Sequence, residues 1–166
     1  LLEMIKGSGG YRGQMVHVRR IPRRKAEFDA LDPPVAGLMG ESLQKLGIKD
    51  LYTHQVEAVR AARQGENVVV VTCTAIGKTL CYNIPVLESI ESNPKSRALY
   101  IYPTKALAQD QLGKLNQFGL PFLKAATYDG DTPRQERSFI KQSANVVLTN
   151  PDMLHFGMRP YHSTWS

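Results

Sequence analysis

The stretch Val68-Val69-Val70-Val71 runs through Thr72-Cys73-Thr74-Ala75-Ile76 into Gly77-Lys78-Thr79, and it constrains the fold of this chain more than any other segment. Four consecutive β-branched residues predict a strand buried on both faces. The apolar residues Leu80, Ile84 and Leu87 then fall at i, i+4 and i+7, which predicts a helix beginning near Gly77. A loop between such a strand and such a helix is what a phosphate loop requires. Its amides and the helix dipole converge on one anion. Gly77 lets the backbone approach phosphates closely, Lys78 can bridge β- and γ-phosphates, and the Thr79 hydroxyl can join a Mg²⁺ shell. The expected cradle therefore comprises Thr74, Ala75, Ile76, Gly77, Lys78 and Thr79. The strict pattern is not met, because Thr72 stands where the first glycine belongs and Ala75 and Ile76 replace smaller or hydroxylated residues. Cys73, inside the loop, is either a reactive thiol shielded by nucleotide or an inert small residue, and Cys81 reads as core.

The same rhythm continues downstream. Ala98-Leu99-Tyr100-Ile101-Tyr102 predicts a strand, and Ala108, Leu112 and Leu115 mark the helix behind it. Residues 124–128 read as a weaker strand. Asp131 is expected to cap a helix opening with Thr132 and Pro133, and Val146-Val147-Leu148 reads as a last strand before the cap Asn150-Pro151-Asp152. Upstream, Met15, Val16 and Val18 suggest a short edge strand. Pro33-Pro34 opens a helix ending near Gly47, and a second helix covers about 53–64. Such alternation predicts an α/β fold, a parallel sheet flanked by helices. The expected organisation is a basic arm with a short edge strand over 1–32 and a nucleotide-binding α/β unit over 33–166.

Charge is concentrated rather than spread. Residues 1–25 hold seven basic side chains against Glu3 alone, and the rest of the chain is balanced, so the arm accounts for the whole formal charge of +6. A polyanion partner and a merely solvated arm both fit that pattern. Two cysteines give neither a disulfide framework nor zinc spacing, and no apolar run is long enough for a membrane helix, so a reducing cytoplasmic setting without a membrane partner is expected.

Four further blocks sit in order around the loop: Leu51-Tyr52-Thr53-His54-Gln55, Tyr102-Pro103-Thr104-Lys105 through Gln111, Tyr128-Asp129-Gly130-Asp131-Thr132, and Leu148-Thr149-Asn150-Pro151-Asp152-Met153-Leu154. In this order and spacing, over about residues 15–158, the chain resembles the first RecA-like lobe of superfamily 2 DEAD/DEAH-type helicases. It is most similar to the microbial DEVH-box DNA-repair branch typified by mitomycin-repair helicases. The resemblance implies ATP and Mg²⁺ as cofactors, adenine contacts from Gln55 with Tyr52 as a stacking surface, and Lys78 and Thr79 as catalytic groups. It also implies a nucleic-acid track at Pro103, Thr104, Lys105, Gln109, Gly130, Thr149 and Asp152, with DNA rather than RNA as the polymer, and a second RecA-like lobe as partner. The Asp-Glu box that binds Mg²⁺ and positions water is expected beyond Ser166. The chain by itself is therefore expected to bind ATP weakly and neither hydrolyse it usefully nor unwind DNA. On the residues alone, another P-loop nucleotide transferase and a non-catalytic nucleic-acid module with a relic loop stay open, as does the oligomeric state.

Overall fold

The computed structural model describes residues 1–20, 22, 25–72 and 77–165. Elements in chain order are α1 (Leu2–Lys6), β1 (Phe28–Asp29), α2 (Gly37–Lys45), β2 (Leu51–Tyr52), α3 (Thr53–Arg63), α4 (Lys78–Ser92), β3 (Ala98–Ile101), α5 (Lys105–Asn116), β4 (Ala125–Thr127), α6 (Arg134–Ser143), β5 (Val146–Thr149) and α7 (Pro151–Met153). A π turn (Leu154–Met158) and a 3₁₀ turn (Arg159–Thr164) follow.

β3, β5 and β4 form a parallel sheet in that spatial order, with Ile101 beside Thr149 and Thr127 beside Leu148. Their carboxyl ends therefore share one rim. β5 lies in the middle and is buried along its whole length. Successive strand residues point to opposite faces. Accordingly, Val146 and Leu148 join the main core with Ile84, Leu87 and Leu115, while Val147 joins a second cluster with Tyr128, Ile140 and Met158. Both faces are covered, as a parallel sheet requires.

The helices follow their local signals. α3 stops before Gly65 at φ +79°, and α4 buries Ile84, Leu87 and Ile90 as its period predicts. α3 packs on α4, and a two-toothed pairing of Arg63 with Glu88, 2.6 Å at its shorter arm, ties them together. α2 is capped from a distance: the Glu91 carboxylate at the end of α4 accepts from the Leu38 and Met39 amides, which offsets the orphan donors of the first turn.

Three expectations are corrected. Residues 15–18 form no strand, and Val16 lies in solvent; the short edge strand of the N-terminal stretch is β1, paired antiparallel with β2. Val68–Val71 is not a buried strand either. None of the described strands pairs with it, and Val69 and Val71 are each 88% exposed. Valine runs favour extended backbone, but burial on both faces needs hydrogen-bonded neighbours that no described segment supplies. Finally, Asp131 does not cap α6, which begins at Arg134 after Pro133. Its carboxylate is instead paired with Lys105, and Thr132 closes the preceding turn by accepting from the Asp129 amide.

Candidate nucleotide and nucleic-acid site

The segment that leads into α4 is built around Gly77. It takes φ +68°, a left-handed conformation that a side chain disfavours, and a Cβ there would lie 2.6 Å from Gln55 Nε2. Gly77 caps α4 with no side-chain hydrogen bond, so the opening amides of a 15-residue helix carry no such cap. Lys78 Nζ donates to the Thr72 carbonyl at 3.0 Å, across the two ends of the loop. Thr74, Ala75 and Ile76, with Cys73, lie outside the described residues. Cys81 is buried, and desolvation holds its thiol above the ordinary range.

Gln55 is 2% exposed and uses both amide atoms internally. Its Oε1 accepts from the Tyr52 amide at 2.9 Å, and its Nε2 donates to the Gly77 carbonyl at 2.8 Å. It thereby ties the start of α3 to the loop exit. Tyr52 stacks between Phe28 at 5.0 Å and His54 at 5.7 Å. Phe28, Tyr52, Gln55 and Gly77 share a cavity of about 400 Å³ with Ile48, Lys49 and Leu80. Phe28 carried no sequence signal as a site residue. It reaches Tyr52 only because β1 pairs with β2.

The sheet rim gathers the later blocks. Thr104 is the N-cap of α5, its hydroxyl accepting from the Leu107 amide at 3.2 Å. Lys105 follows, and its ammonium sits 2.7 Å from the Asp131 carboxylate, both in contact with solvent. The hydrogen bond that the ammonium donates to Asp131 raises the lysine's pKa. Gly130 lies between, where an added Cβ would stand 3.5 Å from Lys105 Nζ. Gln109 donates to the Thr127 hydroxyl at 2.9 Å. Thr149 is 1% exposed, and its hydroxyl donates to the Tyr128 carbonyl at 2.7 Å, so it joins two rim turns from beneath. Asn150 caps the next turn by accepting from the Met153 amide, with Asp152 and Pro103 exposed beside their strand ends. The Tyr82 and Tyr102 hydroxyls, 3.2 Å apart, link the second turn of α4 to the residue after β3. Burial keeps the phenols of Tyr100 and Tyr102 protonated well above the ordinary range. α4 thus reaches the carboxyl rim of the sheet, the edge at which open α/β sheets hold ligands.

Among the described residues, no group of three or more His, Cys, Asp or Glu is placed to hold a metal ion. Also among the described residues, no helix is long and apolar enough to cross a membrane.

Comparison with known proteins agrees with this geometry. The chain is 44% identical over 155 residues to the uncharacterized ATP-dependent helicase YprA of Bacillus subtilis, covering 91% of this chain and 21% of that protein. It is 39% identical over 170 residues to the ATP-dependent helicase HRQ1 of Saccharomyces cerevisiae, covering 99% and 16%. The chain thus spans between about a sixth and a fifth of the length of these relatives. The solved structure of the DUF1998 helicase MrfA bound to DNA superposes with a TM-score of 0.82 at 45% identity, over 87% of this chain and 21% of that one. The MrfA structure bound to DNA and AMPPNP gives 0.80 at 44%. The three-stranded parallel sheet with its flanking helices is that of a RecA-like lobe, and the pattern of the DEAD/DEAH box helicases matches residues 52–163. The chain belongs to the DEAD/DEAH box helicase family.

Proposed function

We propose that this chain is the ATP-binding and nucleic-acid-binding lobe of an ATP-dependent DNA helicase, which works with a second RecA-like lobe. The observation that carries the reading is that the turns of Lys105, Gly130 and Asn150 share the carboxyl rim of one parallel sheet, where Tyr82 of α4 reaches Tyr102. A nucleotide at one end can then bias contacts to a strand at the other. Support for DNA and for a nucleotide comes from MrfA, solved with DNA and with AMPPNP.

In this reading the amides of Gly77, Lys78 and Thr79, with those of Thr74, Ala75 and Ile76, hold the triphosphate. Lys78 exchanges the Thr72 carbonyl for phosphate oxygens, and Thr79 offers its hydroxyl to Mg²⁺. Bound ATP supplies a scissile phosphoanhydride and a charge that the loop senses. Tyr52, Gln55 and Phe28 form the adenine side. Gln55, buried with both amide atoms committed to Tyr52 and Gly77, positions that side by holding Tyr52 and the loop exit together.

On the rim, Lys105 meets a backbone phosphate directly, and Pro103 and Gly130 let the strand pass closely. Thr104, Gln109 and Thr149 have their polar groups committed within the protein, so they position the turns. Asp152 reinforces the first turn of α7 and holds its exposed face. The sequence has no adjacent Asp-Glu pair to hold metal and water together, so the reading predicts binding without useful turnover by this chain.

Fluorescent ATP and a labelled thymidine oligonucleotide test both halves. Lys78→Ala should abolish nucleotide binding and leave strand binding intact. Lys105→Ala should weaken strand binding, which should also fall with salt by about 0.7 log units per log unit for each phosphate neutralised. Strand binding that ignores Lys105→Ala and salt overturns the track. Nucleotide binding that survives Lys78→Ala overturns the loop.

A further inference from the structure

α6 carries Arg134, Arg137 and Lys141 at spacings of three and four, so they share one helix face. The turns after α7 lie against that face, and the two enclose a groove of about 650 Å³. Its walls hold those three cations and the rings of Tyr128, Phe156 and Tyr161, and no carboxylate among the described residues lines it. Phe156 is 73% and Tyr161 60% exposed, so both rings are open to a ligand in the groove. The Arg137 guanidinium lies 5.7 Å from the Tyr128 ring centre, and its Nε donates to the Thr132 carbonyl at 3.0 Å, which fixes the fork. Among the described residues no carboxylate pairs with Arg134 or Arg137.

The chemistry selects the occupant. An acidic peptide would satisfy the cations but has no use for two exposed rings. An apolar segment would leave the guanidinium groups unmatched. A single nucleic-acid strand alternates anion and flat π-face, which is what cations interleaved with aromatics complement. Position agrees: the Tyr128 carbonyl accepts the Thr149 hydroxyl, so the groove begins under the rim described above.

We propose that this groove is a second seat for one nucleic-acid strand, with phosphates on Arg134 and Arg137 and bases on Phe156 and Tyr161. The proposal rests on the nucleic-acid reading above and extends it beyond the sheet rim.

The test uses the 166-residue chain and labelled thymidine oligonucleotides of about six and about twenty nucleotides. The variant Arg134→Ala with Phe156→Ala changes two exposed side chains, and circular dichroism checks its fold. Expected is about tenfold weaker binding of the longer strand with little change for the shorter, and a salt slope lower by about 0.7. Iododeoxyuridine in the longer strand should crosslink to Phe156 or Tyr161. If the double variant binds the longer strand normally and crosslinks fall only on the rim, the groove is overturned while the rim reading stands. If Lys105→Ala also has no effect, or the unaltered chain binds no strand, both fail. If polyglutamate binding, rather than strand binding, is lost in the double variant, the groove is a protein-docking site and the proposal is overturned.

Discussion

Gln55→Glu exchanges one nitrogen for oxygen in a side chain that is 2% exposed, which makes it a clean probe of the link between α3 and the phosphate loop. The arm that accepts from the Tyr52 amide at 2.9 Å survives the change. The other arm, which donates to the Gly77 carbonyl at 2.8 Å, becomes a carboxylate oxygen facing a carbonyl oxygen. Loss of that hydrogen bond costs about 1–2 kcal/mol, and holding a charge away from water beside a like dipole adds a similar amount. A total near 3 kcal/mol lowers the melting temperature of a chain this size by about 6–12 °C. The pH dependence follows from the same geometry. Burial raises the new carboxyl above its ordinary value of about 4.3. The deficit is therefore full above the raised value, and it shrinks as pH falls toward the ordinary one. There both folded and unfolded chains are protonated, and the carboxyl O–H can again donate to Gly77. Scanning fluorimetry of Gln55→Glu and the unaltered chain from about pH 4.5 to neutrality reads this directly. A gap under about 2 °C at neutral pH, or one that does not narrow in acid, refutes the claim that Gln55 holds the loop exit.

Asp131→Asn frees Lys105 from its carboxylate and should tighten single-strand binding severalfold in anisotropy measurements, because the pair competes with phosphate. Because Asp131 raises the Lys105 pKa above 10.5, the pair's contribution is present below that value and is lost as pH rises through the raised one; NMR titration of Nζ should move down in the variant. Gly77→Ala must hold φ +68° and place a Cβ 2.6 Å from Gln55 Nε2, so it should lose about 1–2 kcal/mol in urea titration, with weaker nucleotide binding. Ile84→Ala opens the main core at a residue that is fully buried and should cost about 2–5 kcal/mol in the same titration without altering the salt dependence of strand binding.

Amino-acid order alone determined the elements whose information is local. α3, α4 and α5 follow from apolar spacing and from Gly65 and Gly77, and the cap Asn150-Pro151 follows from the side-chain chemistry of a helix start. The order of the blocks made the RecA-like lobe legible as well, since the last three mark the ends of β3, β4 and β5 in the parallel sheet. Tertiary structure decided whatever depends on a distant partner. The run Val68–Val71 has strand composition but no described neighbour, and Asp131 looks like a helix cap until Lys105, 26 positions earlier, claims its carboxylate. Glu91 caps a helix more than 50 residues upstream, and Phe28 meets Tyr52 only through β1 and β2. Turns and helical periods are set within a few residues by backbone sterics and hydrogen bonding. Strand burial, ion pairs and ring stacks exist only after remote segments have met, so no local pattern records them.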